Sequence, residues 1–287
     1  MIPTQFDYQV PATLEEAVAL LASDLDGAKV LAGGHSLIPA MKLRLAQPQL
    51  LVDIGRIKSL SYIHEEGDEI RIGATTTHYQ LESSDLLKNI CPLLPACAGS
   101  IGDVQVRNKG TIGGSVAHSD PAGDWPAAVL ALDADLVLVG TNGERTVKAE
   151  NFFVHLLTTD LQPGEILREI RIKKPTGKFG HAYQKVPHPA SGFAVVGVAV
   201  NLAFNDDGSC KSAGIGITGV GVKAYRAKAV EAALAGTNLD DNTVAAAVTH
   251  VCDGIDPTGD LYASSEYRRH LAQVHTRRAI LAADSRR

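Results

Sequence analysis

Four cysteines in 287 residues, Cys91, Cys97, Cys210 and Cys252, with no two in Cys-x-x-Cys spacing, give this chain no ligand set for a structural zinc or an iron–sulfur cluster. Reduced, buried thiols in a reducing compartment are the ordinary reading of so few. Long apolar runs are missing too. The longest apolar strand, Phe193 to Val200, is far too short to span a bilayer, and the N-terminus has neither a charged n-region nor an apolar h-region, so no integral membrane segment is expected and the cytoplasm is the default. No basic tract exists: 27 basic and 32 acidic residues are dispersed along the chain for a net charge of −5, which argues against a nucleic-acid partner. There is no P-loop. The one Gly-x-Gly-x-x-Gly spacing, Gly214 to Gly219, follows the hairpin signal Asn205-Asp-Asp-Gly208 and alternates like a strand, with no helix start at its third glycine; it reads as a glycine-bearing strand.

What the chain does have is two glycine pairs. In Lys29-Val-Leu-Ala-Gly-Gly-His-Ser-Leu-Ile-Pro-Ala-Met-Lys42 an apolar strand stops at Gly33 and Gly34 and gives way to helix-forming residues. Glycines allow positive φ and carry no Cβ, so successive N–H groups can converge on an anion. Ser36 is placed to cap the next turn, Pro39 falls within that turn, and the amides of Leu37 and Ile38 add the positive end of a helix dipole. A phosphate or pyrophosphate suits such a turn, although an isolated Gly-Gly pair also serves as a plain strand-to-helix connection. The second segment is Lys109-Gly-Thr-Ile-Gly-Gly-Ser-Val-Ala-His-Ser-Asp-Pro-Ala-Gly-Asp124. Here Thr111, Gly113, Gly114 and Ser115 offer close backbone approach and side-chain donors, ahead of an apolar helix beginning near Trp125-Pro126.

Two glycine loops suit a ligand with two ends, one loop holding a pyrophosphate and the other a ribityl or ribose and the edge of a ring system, with Asp124 accepting hydrogen bonds from hydroxyls. His35 can lie over the phosphates or face solvent. His118, Asp120 and Asp124 also resemble the donor set of a hard-metal or water-activating site, which leaves a metal-dependent hydrolase open as a second reading, but the flexible Pro-Ala-Gly between the aspartates and the adjoining Gly-Gly pair suit contacts of all three to ligand hydroxyls better. A noncatalytic nucleotide-binding module is a third.

The length suggests two or three units, each with its own core. Residues 1–56 read as a small α/β unit, with Thr13-Leu-Glu-Glu16 as a capping box for a helix reaching Leu21 and strands around Val30 and Leu51–Ile54. Residues 57–174 start with a hairpin of Tyr62-Ile63 against Ile70–Ile72 across Glu66-Gly-Asp68. Short helices and the second glycine segment follow, then a hairpin turning at Thr141-Asn-Gly143 and a strand over Ile166–Ile172. Residues 175–287 read as an antiparallel meander of Ala182–Val186, Phe193–Phe204 and Cys210–Thr218. Helices are expected after it near Ala224–Leu234, Asp241–Val251 and Ser265–Ala283. Strands followed by helices make an α+β fold, since no regular strand–helix alternation is present.

Ala32-Gly-Gly-His-Ser36 and Thr111-Ile-Gly-Gly-Ser115, with the following Asp120-Pro-Ala-Gly-Asp124, resemble the FAD-binding medium subunit of the molybdenum hydroxylases, most closely the aerobic carbon monoxide dehydrogenase type. The resemblance extends from Met1-Ile-Pro-Thr-Gln-Phe-Asp-Tyr8 through Ile101-Gly-Asp-Val-Gln-Val-Arg107 to Glu266-Tyr-Arg-Arg269. It implies a two-part FAD-binding domain of the PCMH/vanillyl-alcohol-oxidase-like type, followed by a C-terminal antiparallel sheet with helices. It also implies FAD contacts along Ala32, Gly33, Gly34, His35, Ser36 and Leu37, and at Ile101, Leu167 and Lys185. Lys185 would favour negative charge on the flavin ring. Phe193 departs from the pattern, because related subunits can carry tyrosine there. The implied partners are a large subunit holding a molybdopterin cofactor and a small subunit holding two [2Fe-2S] clusters, with two heterotrimers pairing. In that setting the chain would pass electrons from the clusters to an external acceptor while substrate is oxidised elsewhere.

Overall fold

Strand Ala28–Leu31 delivers the first glycine pair to the edge of a small parallel sheet, in which Leu50–Asp53 lies between Asp7–Gln9 and Ala28–Leu31. A computed structural model describes residues 2–286. Helix Leu14–Ser23 packs Ala17, Val18 and Leu21 on this sheet against Ala28, Val52 and Ile54. Thr13 caps it by accepting from the Glu16 amide at 3.2 Å, but the Glu16 carboxylate reaches the Ala12 amide at 2.7 Å, one residue before the capping-box position. Strand Asp7–Gln9 has no apolar alternation to announce it. All three of its residues are exposed, and backbone pairing with Leu50–Val52 holds it.

The second sheet is antiparallel and has five strands, with Ile166–Lys173 in the middle. On one side lie Glu69–Gly73 and then Ile63–Glu66; on the other lie Asp135–Gly140 and then Gly143–Lys148. Both hairpins turn where the sequence predicts. Gly67 (φ +63°) and Gly143 (φ +99°) supply the left-handed positions. The inner face, with Ile70, Ile72, Leu136, Leu138 and Ile170, packs on short helices through Leu81, Leu93, Leu94 and Trp125.

The third sheet is the expected meander, Phe179–Pro187, Ala194–Phe204 and Cys210–Thr218, and helix Ser265–Asp284 lies across its first two strands. Two helices are shorter than predicted. Tyr225–Arg226 pairs with Gly216-Ile217 as a brief fourth strand, so that helix begins at Lys228, and Asp241–Ala247 ends in a 3-10 turn at Val248–His250.

Gly214 and Gly216 lie inside the third strand, as the alternation predicts, and their missing side chains have a packing use. A Cβ at Gly216 would stand 2.0 Å from the Ala127 carbonyl oxygen, and one at Gly214 would stand 2.1 Å from that of Ala131. Helix Asp124–Ala131, buried along its whole length, therefore lies directly on this sheet and also joins the core beneath the second one. Among the described residues no helix is long and apolar enough to cross a membrane.

Candidate cofactor site at two touching glycine segments

The two glycine segments meet. A Cβ at Gly33 would stand 2.3 Å from the Lys109 carbonyl oxygen and 2.8 Å from the Gly110 Cα, and one at Gly114 would come within 3.9 Å of Ala32 Cβ. Around this junction opens a cavity of about 750 Å³. Ala32, Gly33, Gly34, His35, Ser36, Leu37, Ile101, Thr111, Gly113, Gly114, Ser115, His118, Asp124 and Leu167 line it. Asp120 and Lys185, expected to touch the ligand, and Ile38, whose amide was expected to face it, do not.

The two segments differ in what they offer. Gly34 takes the predicted positive φ, +77°. After it, the amides of His35, Ser36 and Leu37 make no hydrogen bond among the described residues, so they are available to an anion. Two details of the sequence reading change here. Ser36 stands at the N-cap of helix Leu37–Lys42, yet its side chain makes no capping bond, and the Ile38 amide is already spent on the Gly34 carbonyl at 3.0 Å.

The second segment is not an open amide cradle but the first turn of helix Ile112–His118, capped by Thr111. The amides of Ile112 and Gly113 donate to Thr76 and Ala74 carbonyls at 3.0 and 2.9 Å, Gly114 donates to Thr111 Oγ1 at 3.2 Å, and Ser115 to the Thr111 carbonyl at 3.0 Å. This segment contributes closeness instead. A Cβ at Gly113 would lie 2.4 Å from Ala74 Cβ.

Asp124 is turned inward. Its Oδ1 accepts from the Tyr183 hydroxyl at 2.5 Å and its Oδ2 from Lys185 Nζ at 2.9 Å, and Lys185 also donates to the Ser100 carbonyl at 2.9 Å. Burial pushes the Asp124 carboxyl up, and the Lys185 ammonium pulls it back; burial and the Asp124 charge hold the Tyr183 hydroxyl well above its ordinary value. Each Asp124 oxygen thus has one bond within the protein, and Asp124 still lines the cavity, so the expected contact with ligand hydroxyls would use the lone pairs these bonds leave. The Lys185 ammonium is aimed at this carboxylate, and Lys185 is not among the residues lining the cavity. Tyr183 carried no sequence flag of its own. Two residues before Lys185 on strand Phe179–Pro187, it shares that face of the sheet, and this period of two is the signal that could have found it.

The metal-site reading separates in the same way. His118 Nε2 and Asp120 Oδ2 are 3.9 Å apart, Asp120 Oδ1 is held by the Ala122 amide at 2.8 Å, and Asp124 points elsewhere. Among the described residues no group of three His, Cys, Asp or Glu side chains is placed to hold a metal. The Pro-Ala-Gly stretch between the two aspartates is pinned, not loose: Thr218 Oγ1 lies 2.7 Å from both the Pro121 and the Gly123 carbonyl oxygens and shares its one proton between them, and the Ala194 amide donates to the Ala122 carbonyl at 3.1 Å.

Leu25 and Gln162-Pro163-Gly164 also line the cavity, residues with no place in either glycine segment although Pro163-Gly164 is a turn signal. Phe193, 46% exposed, also lines the cavity, together with Ser191 and Gly192.

The chain matches the family models described as FAD binding domain in molybdopterin dehydrogenase, over residues 4–175, and CO dehydrogenase flavoprotein C-terminal domain, over residues 181–283. It is 40% identical over 286 residues to the carbon monoxide dehydrogenase medium chain of Hydrogenophaga pseudoflava, covering 100% of this chain and 99% of that one. To the glyceraldehyde dehydrogenase medium chain of Sulfolobus acidocaldarius it is 37% identical over 282 residues, covering 98% and 99%. Among solved structures, the carbon monoxide dehydrogenase from Hydrogenophaga pseudoflava that lacks the Mo-pyranopterin moiety of the molybdenum cofactor is similar at a TM-score of 0.96 and 42% identity over 99% of each chain.

Proposed function

Because the chain belongs to the FAD-binding medium subunits of the molybdenum hydroxylases, such as those of carbon monoxide dehydrogenases, we propose that it receives electrons from [2Fe-2S] clusters of a small partner subunit and hands them to an external acceptor. Substrate oxidation belongs to a large partner subunit with a molybdopterin cofactor, two such heterotrimers pair, and the complex works in the cytoplasm. The observation that carries this reading is one cavity joining both glycine segments, in a chain whose four cysteines are all buried and free. The similarity to medium chains serving carbon monoxide and glyceraldehyde oxidation, at 40% and 37% identity, supports leaving substrate choice to the large partner.

A flavin dinucleotide fits the residues present, since the free amides after Gly34 suit a pyrophosphate and the cavity has the size of a cofactor site. Bound FAD supplies a carrier for electrons taken singly or in pairs. The chain's part is to hold and shield it. The amides of His35 to Leu37 take the phosphates, Thr111 to Ser115 let the ligand lie close against backbone, and Ile101 and Leu167 flank the ring system. The buried Lys185–Asp124 pair supports that end from behind. We divide the chain into FAD-binding parts 1–56 and 57–174 and a C-terminal part 175–287, each containing one of the three large sheets.

The test is spectroscopic. The purified chain loaded with FAD should be bleached by dithionite and recoloured by an added acceptor, and candidate substrates should leave its oxidised spectrum unchanged until both partner subunits are added. Bleaching of the lone chain by an organic substrate would mark it as a self-standing oxidase and end the electron-transfer reading.

A further inference from the structure

His78 opens helix His78–Ser83 and is only 4% exposed, yet it belongs to the cavity wall and has no part in the site derived above. Its backbone is tied to the second glycine segment, with its amide donating to the Gly110 carbonyl at 3.0 Å. Its ring is fixed from the other side. The Trp125 indole N–H donates to His78 Nδ1 at 3.0 Å. Because Nδ1 accepts, the proton of the neutral imidazole is on Nε2, and that N–H makes no hydrogen bond among the described residues. Burial pushes the ring down to about 4, so it stays neutral at working pH and keeps this tautomer.

The surroundings of Nε2 indicate what it serves. Gly110 lies against it: a Cβ there would stand 2.6 Å from Nε2 and 2.8 Å from Cδ2, and the other side of Gly110 faces Gly33 of the first segment. The unused donor is therefore at the junction of the two segments. Of the basic side chains nearby, Arg107 is paired with the Glu82 carboxylate at 2.7 Å, so the donor at this junction is the His78 ring itself. His78 lines the cavity, so this unused donor is open to an acceptor that a ligand there supplies.

We propose that His78 binds FAD directly, its Nε2–H, held as the donor by Trp125, bonding a phosphate oxygen of the dinucleotide where the two glycine segments meet. The inference rests on the cofactor reading above and adds a residue to it. It also gives a reason for glycine at Gly110, whose backbone conformation (φ −60°, ψ 141°) is open to any residue but whose Cβ would push the ring aside.

Two variants of the full chain test it, with FAD and phosphate-free riboflavin titrated separately into the flavin-free protein. In His78→Asn, the amide oxygen keeps an acceptor for Trp125 while the outer donor is lost. Its FAD Kd should rise about tenfold, as expected for one hydrogen bond to a charged group. Its riboflavin Kd and ligand-free melting temperature should stay as in wild type, and the phosphorus resonances of bound FAD should move. An unchanged FAD Kd, or equal weakening of both ligands, overturns the proposal. Should His78→Asn fail to fold, Gly110→Ala takes its place with the FAD and riboflavin Kd values as its readouts, its methyl displacing the ring with the Trp125 side chain left in the chain. A wild-type chain that binds neither flavin sinks the cofactor reading first, and this inference with it.

Discussion

At Gly34 a single missing Cβ decides whether the first turn can exist. Its φ of +77° is one that a β-branched residue cannot hold without strain of about 1–3 kcal/mol, and its Cβ would stand 2.7 Å from Ile38 Cδ1 at the start of the helix that follows. In Gly34→Val the turn should redraw itself and carry the His35 to Leu37 amides off the anion. The variant is expected to keep its circular dichroism and lose bound flavin, so wild-type flavin absorbance per chain would remove this turn from the site. That much was legible, since a glycine pair between a strand and a helix names its own backbone need. Which amides stay free was not. Gly113 and Ile112 look like their counterparts in the first segment until Ala74 and Thr76, remote in sequence, take their N–H groups. The inward turn of Asp124 was hidden for the same reason, since its partners Tyr183 and Lys185 come from a strand of a different sheet.

Among the elements, the strands with alternation and turn signals were readable, and the two hairpins of the second sheet turn where glycine permits. Elements defined by their neighbours were not. Strand Asp7–Gln9 exists through pairing, and Thr111–Ser115 becomes a helix start because Thr111 caps it. Helix Asp124–Ala131 is the element that joins the parts, and Gly214 and Gly216 set how closely it approaches the third sheet. Gly216→Val would place a branched side chain where the Ala127 carbonyl now sits. Relief requires the helix to lift, and overpacking of this kind costs about 1–3 kcal/mol. Because the same helix begins at Asp124 on the cavity wall, the melting temperature should fall and FAD should bind more weakly. A variant melting like wild type would show that the contact has slack.

For the whole molecule, three buried histidines in different places give stability a common pH dependence. Burial lowers His78 beside the cavity and His181 in the third sheet to about 4 from an ordinary 6.5, and lowers His275 on the C-terminal helix in the same direction. Below the ordinary value the unfolded chain takes up protons that the folded rings refuse, so each ring contributes stability that is present above about pH 6.5 and is lost as pH falls toward 4. Each can add a slope of up to about 1.4 kcal/mol per pH unit in that window. Asp124 acts in the opposite sense. Its carboxyl is held above the ordinary 3.8, so its contribution is present below that value and is lost as pH rises through the raised one, which offsets part of the histidine slope at the acid end. Urea unfolding of the flavin-free chain should therefore show a midpoint that declines steadily from pH 7 to pH 5. His181→Gln, away from the cavity, should flatten the decline without changing flavin content, while a midpoint level across the range would mean that these rings are not held neutral by the fold.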